Sequence, residues 1–587
     1  MVSSGDSKPA ARGRKKPESR SANPVANSRG AGAKSKSTKT VKVIPLGGLD
    51  GIGKNMTVVE YGNDMIVVDA GLMFPDDDHP GVDLILPDYT YVVENAHKLR
   101  AIVVTHGHED HTGALPYLIK DLAVKPQIIA TKLTLGLIAG KLEEHRLRDV
   151  KLVEVKSGDR VTRGELNIEF FHVNHSIPDA VGVFIETPIG NVLHTGDFKL
   201  DQTPIDGEVA DYAALARYGE RGVMVLLSDS TNAETPGVTM SEAEVGKALA
   251  PIVDRAKGKV IVASFSSHIH RLQQVSDVAV RAGRKVIVTG RSMLQNTEIA
   301  RRLGYLHVEA DALVDAYDMK DIAPEDVVIL CTGSQGEPLS ALARMAAGEH
   351  RTIRINPEDT VIISATPVPG NEKAVSNVVN QLLKIGCEVY DKKRAGVHVS
   401  GHAASEELKM MLNLTKPEYF VPVHGEARHL IAHRALARSV GVPADYIFIL
   451  ENGDVLEFDR DGAHVAGTVP SGVVYVDGLN VGDMDSVVIR DRQHLAKDGI
   501  ITVVMTVDAR NGAVMGSPEV VLRGVSLMGE QQFIDDIADR AKRSLEKTVR
   551  DRAELGVSRR AVREAVSQLI WERVKRRPMV IPVILEV

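Results

Sequence analysis

After a strand-like run at 101–105 the chain reads His-Gly-His-Glu-Asp-His-Thr-Gly, which puts three histidines and one aspartate within the six positions 106–111. A tight loop at a strand end can turn His106 and His108 to one side and Asp110 and His111 to the other. One ion rarely takes four neighbours from so short a loop, so the stretch predicts two metal ions. Each ion then needs ligands from elsewhere. The fold must bring several strand ends together, as loops at one edge of an α/β layer structure do.

The rest of the pattern fits such a fold. Short β-rich runs at 56–61, 65–69, 166–172, 182–186, 191–195 and 223–228 are separated by Gly, Asn and Asp, with helical periodicity at 114–122 and 133–148. Ligand-type residues follow some of these runs: His175 in Asn174-His-Ser-Ile-Pro-Asp, and Asp197 in His194-Thr-Gly-Asp-Phe-Lys. His424 follows a strand at 419–423, in Pro422-Val-His-Gly-Glu. The Asp197 carboxylate is of a kind that bridges two ions. Asp69, in Val67-Val-Asp-Ala-Gly, is expected to orient ligands rather than bind metal. His172 and His194 read as structural hydrogen-bonders.

From 241 the rhythm lengthens to β-α-β units: helix 242–257, strand 260–263, helix 270–282, strands 285–288, 327–331 and 360–364, then helix 373–385. This predicts a parallel sheet with covering helices, inserted into the first domain, whose strands resume at 419–423 and 446–458. A Gly/Asp-rich connector precedes a small α+β unit with strands near 499–508 and 519–525, helices 530–554 and 558–575, and a last strand 579–587. The expected division is a disordered basic tail 1–40, a first domain in two parts (41–240 and 397–476), an inserted domain 241–396, a linker 477–495 and a C-terminal domain 496–587.

Charge and cysteine content narrow the partners. Residues 1–40 carry ten Lys/Arg against Asp6 and Glu18, while the whole chain is −7, so the remainder is near −15. An acidic body does not hold a polyanion by net charge; metal ions and local pockets have to attract it. The tail has no Leu, Ile or Phe to bury and reads as solvated chain, with a nucleic-acid tether as the sharper alternative. Cys331 and Cys387 are the only cysteines, which leaves no disulfide framework or thiolate zinc site and suits a cytoplasmic setting. No run approaches the roughly 18 apolar residues of a membrane span, so no membrane is expected.

Two further stretches offer donors to a phosphate. His398, Ser400 and His402 alternate in His398-Val-Ser-Gly-His, and Ser266, Ser267 and His268 open a helix whose N-terminus suits an anion. Gly333–Gly336 could serve a terminal phosphate in the same manner.

Taken with Asp69-Ala-Gly-Leu-Met-Phe-Pro, His175-Ser-Ile-Pro-Asp, Ser228-Asp-Ser-Thr, Gly333-Ser-Gln-Gly-Glu-Pro and Pro422-Val-His-Gly-Glu, the chain from residue 41 onward resembles the ribonuclease J family. These are β-CASP nucleases of the metallo-β-lactamase fold. The resemblance implies an α/β fold: an αββα sandwich, an inserted β-CASP domain and a small C-terminal α+β domain. It implies two zinc ions, with manganese as the alternative. The first is held by His106, His108 and His175, the second by Asp110, His111 and His424, with Asp197 bridging. By the same resemblance Asp229 is the proton donor to the leaving oxygen and His402 the acceptor. His398, Val399, Ser400, Gly401 and His402, with Ser266, Ser267 and His268, bind substrate. Gly81, Asp83 and Asp477 fall where a structural calcium is expected. The implied activity is 5′–3′ exonuclease and endonuclease cleavage of single-stranded RNA in maturation and decay, by a homodimer or homotetramer that meets other RNA-decay proteins.

Overall fold

The computed structural model describes residues 39–587 apart from 77, 369, 479, 483–485, 512, 526–529 and 552. But for residues 39 and 40, the expected basic tail lies outside the described residues.

Two sheets face each other. One runs, in spatial order, Ala463–Thr468, Asp454–Phe458, Val41–Gly47, Met56–Tyr61, Asp64–Val68, Leu99–Val103, Gln127–Ala130 and Leu152–Glu154. The other runs Tyr419–Val423, Val225–Asp229, Asn191–His194, Val181–Glu186, Leu166–His172 and Arg160–Arg163. Alternate side chains of both meet in one core: Val41, Val59, Ile66, Val68 and Val103 against Ile168, Phe170, Val183, Val225, Leu227 and Val421. The period-2 pattern of the sequence is the cause, since each strand buries one face here and the other under helices. Helices Leu115–Asp121 and Lys132–Glu144 cover the first sheet, and Tyr212–Arg221 and Ser405–Thr415 the second.

Each sheet takes its late strands from beyond residue 400, so the chain leaves the sandwich and returns to it. The excursion is a third sheet, Leu313–Val314, Lys285–Thr289, Val327–Cys331, Val260–Ala263, Thr360–Ile363 and Glu388–Tyr390, with every described pairing parallel. Leu133, Leu137 and Ile177 of the sandwich join the core of this insert. Helix Arg291–Leu303 there and helix Ser486–Asp498 near the C-terminus were not anticipated. The second occupies most of the stretch expected to be a linker, and the strand Val473–Asp477 just before it pairs with Leu84–Pro87. A three-stranded sheet, Val514–Arg523, Ile500–Val507 and Met579–Glu586, closes the chain with helices Glu530–Arg550 and Leu555–Val574 on one face. Its edge strand begins five residues before the run expected at 519–525. Pro518 hid that extension, and proline is tolerated in an edge strand.

Candidate metal centre

Two residues beyond the strand Leu99–Val103 lies Thr105, whose N–H and hydroxyl donate to the Asp69 carboxylate at 2.8 and 2.9 Å. Asp69 is buried, and its φ of 63° lies in the left-handed region, a strain held by these bonds. Its Oδ2 also lies 2.7 Å from His111 Nδ1, which aims His111 Nε2 forward. Asp69 therefore sits behind the ligand set. The loop packs closely: a Cβ on Gly71 would lie 1.6 Å from the Asp110 carbonyl oxygen.

Two side-chain groups converge in front of this loop. In the first, His108 Nδ1 lies 3.0 Å from His106 Nε2 and 3.1 Å from His175 Nε2. One proton can sit between two ring nitrogens, but three nitrogens meet here, so hydrogen bonding does not account for them. Zinc–nitrogen bonds of about 2.0–2.1 Å place tetrahedral neighbours about 3.3 Å apart, close to what is seen. His175 Nδ1 donates to the Gly401 carbonyl at 2.8 Å, which points Nε2 inward. A Cβ on Gly401 would come within 2.7 Å of the His175 ring, so glycine is needed there.

In the second group, ligand atoms of Asp110, His111, Asp197 and His424 lie within 4.8 Å of one another. His424 Nε2 lies 3.4 Å from Asp110 Oδ2, and this buried nitrogen has no hydrogen-bond partner. An orphaned imidazole nitrogen facing a carboxylate fits a metal ion. Asp197 Oδ2 stands between the groups, 3.7 Å from both His106 and His175 and 3.2 Å from His111.

The electrostatics divide along the same line. Burial lowers the pKa of His106, His108 and His175, that of His108 to about 4, so these rings are neutral and ready to coordinate. Against burial, Asp197 and Asp110 raise His424 to about 10, while His111 and His424 hold the Asp197 carboxyl well below its usual range. The carboxylates thus hold a positive charge on this side, a place a divalent cation would take by displacing the imidazole protons. His194 stays outside it, its Nδ1 accepting from Gly196 N–H at 3.0 Å.

Asp229 and His402, expected as donor and acceptor, are bonded to each other: His402 Nδ1 lies 2.8 Å from Asp229 Oδ2. Thr231 N–H and hydroxyl donate to the other Asp229 oxygen at 2.9 and 2.8 Å. His402 Nδ1 is also 4.0 Å from Asp197, which ties the pair to the metal groups.

The expected substrate residues divide. Ser400 Oγ accepts from Asn232 Nδ2 at 2.8 Å, and Asn232 also donates to the His402 carbonyl at 3.0 Å. His398 Nδ1 is buried without a hydrogen-bond partner. Val399 points into the core of the insert, so only its backbone is left for a ligand. His268 lies deeper, its ring centroid 6.5 Å from that of His398. Its ring is 2% exposed, with Nε2 3.3 Å from Glu242 and without a hydrogen-bond partner. Ser266 Oγ accepts from Asn296 at 3.2 Å, beside a cavity of about 650 Å³ lined by Glu109, Lys141, Arg291 and Arg344 among others. The calcium oxygens are also engaged. Arg492 donates to the Gly81 carbonyl at 2.8 Å and to Asp477 at 2.6 Å, and Gly478 N–H donates to Asp83 at 2.7 Å. A guanidinium stands where that ion was expected, and calcium does not fit beside it.

Several supporting residues were missed. Arg271 is fully buried, its Nε 2.9 Å and Nη2 2.7 Å from Glu242 Oε1, and Nη1 donates to the Val397 carbonyl at 2.9 Å. This fastens the start of the 398–402 loop to the insert. Glu407 accepts from Leu200 N–H, Thr239 N–H and Ala404 N–H at 2.8, 2.6 and 2.8 Å, fastening its far end. Such roles leave no local signal, because partners lie 126 and 207 residues apart.

A two-sheet sandwich with a His/Asp cluster at one edge and a parallel α/β insert defines a metallo-β-lactamase-fold hydrolase with a β-CASP domain. Residues 49–229 match the metallo-beta-lactamase superfamily, 257–382 the ribonuclease J beta-CASP domain, 388–447 the Zn-dependent metallo-hydrolase RNA specificity domain and 487–587 the ribonuclease J C-terminal domain. The chain is 45% identical to ribonuclease J of Thermus thermophilus, covering 93% of this chain and 95% of that one. It is 42% identical to ribonuclease J 1 of Streptococcus pyogenes, covering 93% and 97%, and 41% identical to ribonuclease J2 of Bacillus subtilis, covering 94% and 100%. The chain belongs to the ribonuclease J family.

Proposed function

We propose that the chain is a metal-dependent ribonuclease that hydrolyses single-stranded RNA stepwise from a 5′ end and internally. The observation that carries this is Asp197 Oδ2, poised between two groups of imidazole and carboxylate ligands at the strand ends of a ribonuclease J sandwich. His106, His108 and His175 would hold one ion and Asp110, His111 and His424 the other, with Asp197 shared. Nitrogen-rich ligands suit zinc, with manganese as the alternative. When bound, such ions supply a hydroxide at neutral pH and offset charge on the phosphate.

The chain's own groups do the rest. Asp229 serves as proton donor to the leaving oxygen and His402, held by it through Nδ1, as proton acceptor. Ser400 and His398 hold a phosphate of the strand, supported by Asn232 and by the Arg271 anchor. Arg291 and Arg344 offer the backbone two guanidinium groups in the neighbouring cavity, where Lys141 is paired with Glu109. The division of work follows 41–240 with 397–476 for chemistry, 241–396 for the opposite wall of the cleft, and 496–587 for assembly. In the last unit Met515, Ile581 and Leu585 are exposed on the sheet face away from the helices, which fits pairing with a second copy. A cytoplasmic setting suits the two buried free thiols.

The test is cleavage of 5′-monophosphorylated RNA, 5′-triphosphorylated RNA and matched DNA, with metal content measured before and after chelation. Monophosphorylated RNA should be degraded fastest, and chelation should stop it. Undiminished cleavage after both ions are removed would refute the reading.

A further inference from the structure

Of the phenylalanines described, Phe74 alone is largely exposed, at 61%. Its position is fixed from behind. Leu72 N–H donates to the Glu109 carbonyl, inside the metal loop, at 3.1 Å, and Met73 exchanges two backbone hydrogen bonds with Ile85 at 2.8 and 2.9 Å. Pro75 follows and restricts Phe74 to extended backbone. A rigid backbone thus presents an aromatic ring to solvent two residues from a segment bonded to the metal loop.

Neighbouring loops of the insert also present apolar surface. Leu339, 89% exposed, lines the cavity that Glu109, Lys141, Arg291 and Arg344 border. Its loop is joined through Gln335, which donates to the Thr366 carbonyl at 3.0 Å and accepts from Val368 N–H at 2.7 Å. Val368 is itself 37% exposed. A Cβ on Gly370 would lie 3.5 Å from Asp76 Cβ, so this loop and the Phe74 loop approach each other. Single exposed apolar residues are ordinary, but three on neighbouring loops beside a cavity that holds Arg291 and Arg344 are not scattered surface. A polynucleotide has this pattern, with anionic phosphates on one side and flat apolar faces on the other.

We propose that Phe74, with Leu339 and Val368 on neighbouring loops, is a platform on which bases of the single strand stack beside this cavity. The proposal rests on the RNA reading above. Contact with a ring face and aliphatic side chains involves no base-edge hydrogen bond, so every base is accepted and a paired strand, whose faces are covered, is not.

The experiment compares binding, to the metal-loaded protein, of a 5′-monophosphorylated oligoribonucleotide and of the same length of chain with abasic internal positions, both with phosphorothioate linkages that resist hydrolysis. Wild type should bind the base-bearing strand more tightly. Phe74→Ala should weaken that strand about tenfold, leave the abasic strand unchanged and close the gap. Phe74→Tyr should keep it. In a Trp571→Phe background, which removes the only native tryptophan, Phe74→Trp should give emission quenched by the base-bearing strand and not by the abasic one. Equal affinity of Phe74→Ala and wild type, equal losses on both strands, or unquenched emission would overturn the platform. Wild type binding both strands equally would also overturn it. Wild type binding neither strand would instead refute the RNA reading itself.

Discussion

Arg271→Met is the substitution with the most calculable outcome. The guanidinium is fully buried, makes two contacts with Glu242 at 2.9 and 2.7 Å, and donates to the Val397 carbonyl at 2.9 Å. Methionine fills much of the volume but removes the guanidinium from Glu242, which is 3% exposed and keeps only the weaker contact with His268 at 3.3 Å among the described ion pairs. Removing one partner of a buried ion pair costs about 3–5 kcal/mol, chiefly through the charge left behind. Chemical denaturation followed by circular dichroism should show a loss of that size at pH 7. Arg271→Met with Glu242→Gln should recover most of it, because no charge is then stranded. The pH dependence has a definite sign. Burial alone would raise the Glu242 pKa, but Arg271 and His268 outweigh it and hold it well below 4.5. In wild type its contribution is therefore present above about 4.5 and fades only as pH falls through the lower folded value. Without Arg271, burial favours the neutral acid, so the variant takes up a proton at higher pH and its deficit should shrink as pH falls from 7 towards 4.5. The reasoning fails if the single variant lies within about 1 kcal/mol of wild type, or if the double variant is no better than the single.

Asp197→Asn should abolish cleavage and lower bound metal while circular dichroism stays native; two ions and full activity would remove its bridging role. Ile581→Lys, on the exposed sheet face of the last unit, should shift the mass seen by light scattering towards the monomer while metal content is unchanged. Deleting residues 1–40, with their excess of basic residues, should weaken RNA binding at low salt and flatten its salt dependence. Single-turnover cleavage at saturating enzyme should not change, since the candidate ligands all follow residue 100.

The metal loop was legible because four ligand-type residues in six positions leave one chemistry, and the β-α-β rhythm of the insert because helix and strand periods differ. The place of His268 at a helix start says nothing of whether its ring turns outward. Here Glu242, 3.3 Å away, sits on the interior side. Asn55, whose amide donates to the Asp110 carbonyl at 3.1 Å, looks like any turn asparagine in the sequence. Asn232 and Glu407 are equally ordinary until distant backbone groups give them partners. The connector at 477–495 was read from its Gly and Asp residues, yet Ser486–Asp498 is helical, with Ile489 packed against Val82 and Ile85. That contact is tertiary and has no local signature.

The order in which the centre is assembled has a consequence for synthesis of the protein. Six of the seven candidate ligands are present once residue 197 is made, but His424 arrives only after the whole insert. At about 5–20 residues per second that gap is on the order of 10–45 s of translation. His402 and the strand Tyr419–Val423, which pairs with Val225–Asp229, are also made late. A nascent chain on the ribosome therefore carries an incomplete centre until residue 424 has been made and the strand Tyr419–Val423 has joined its sheet.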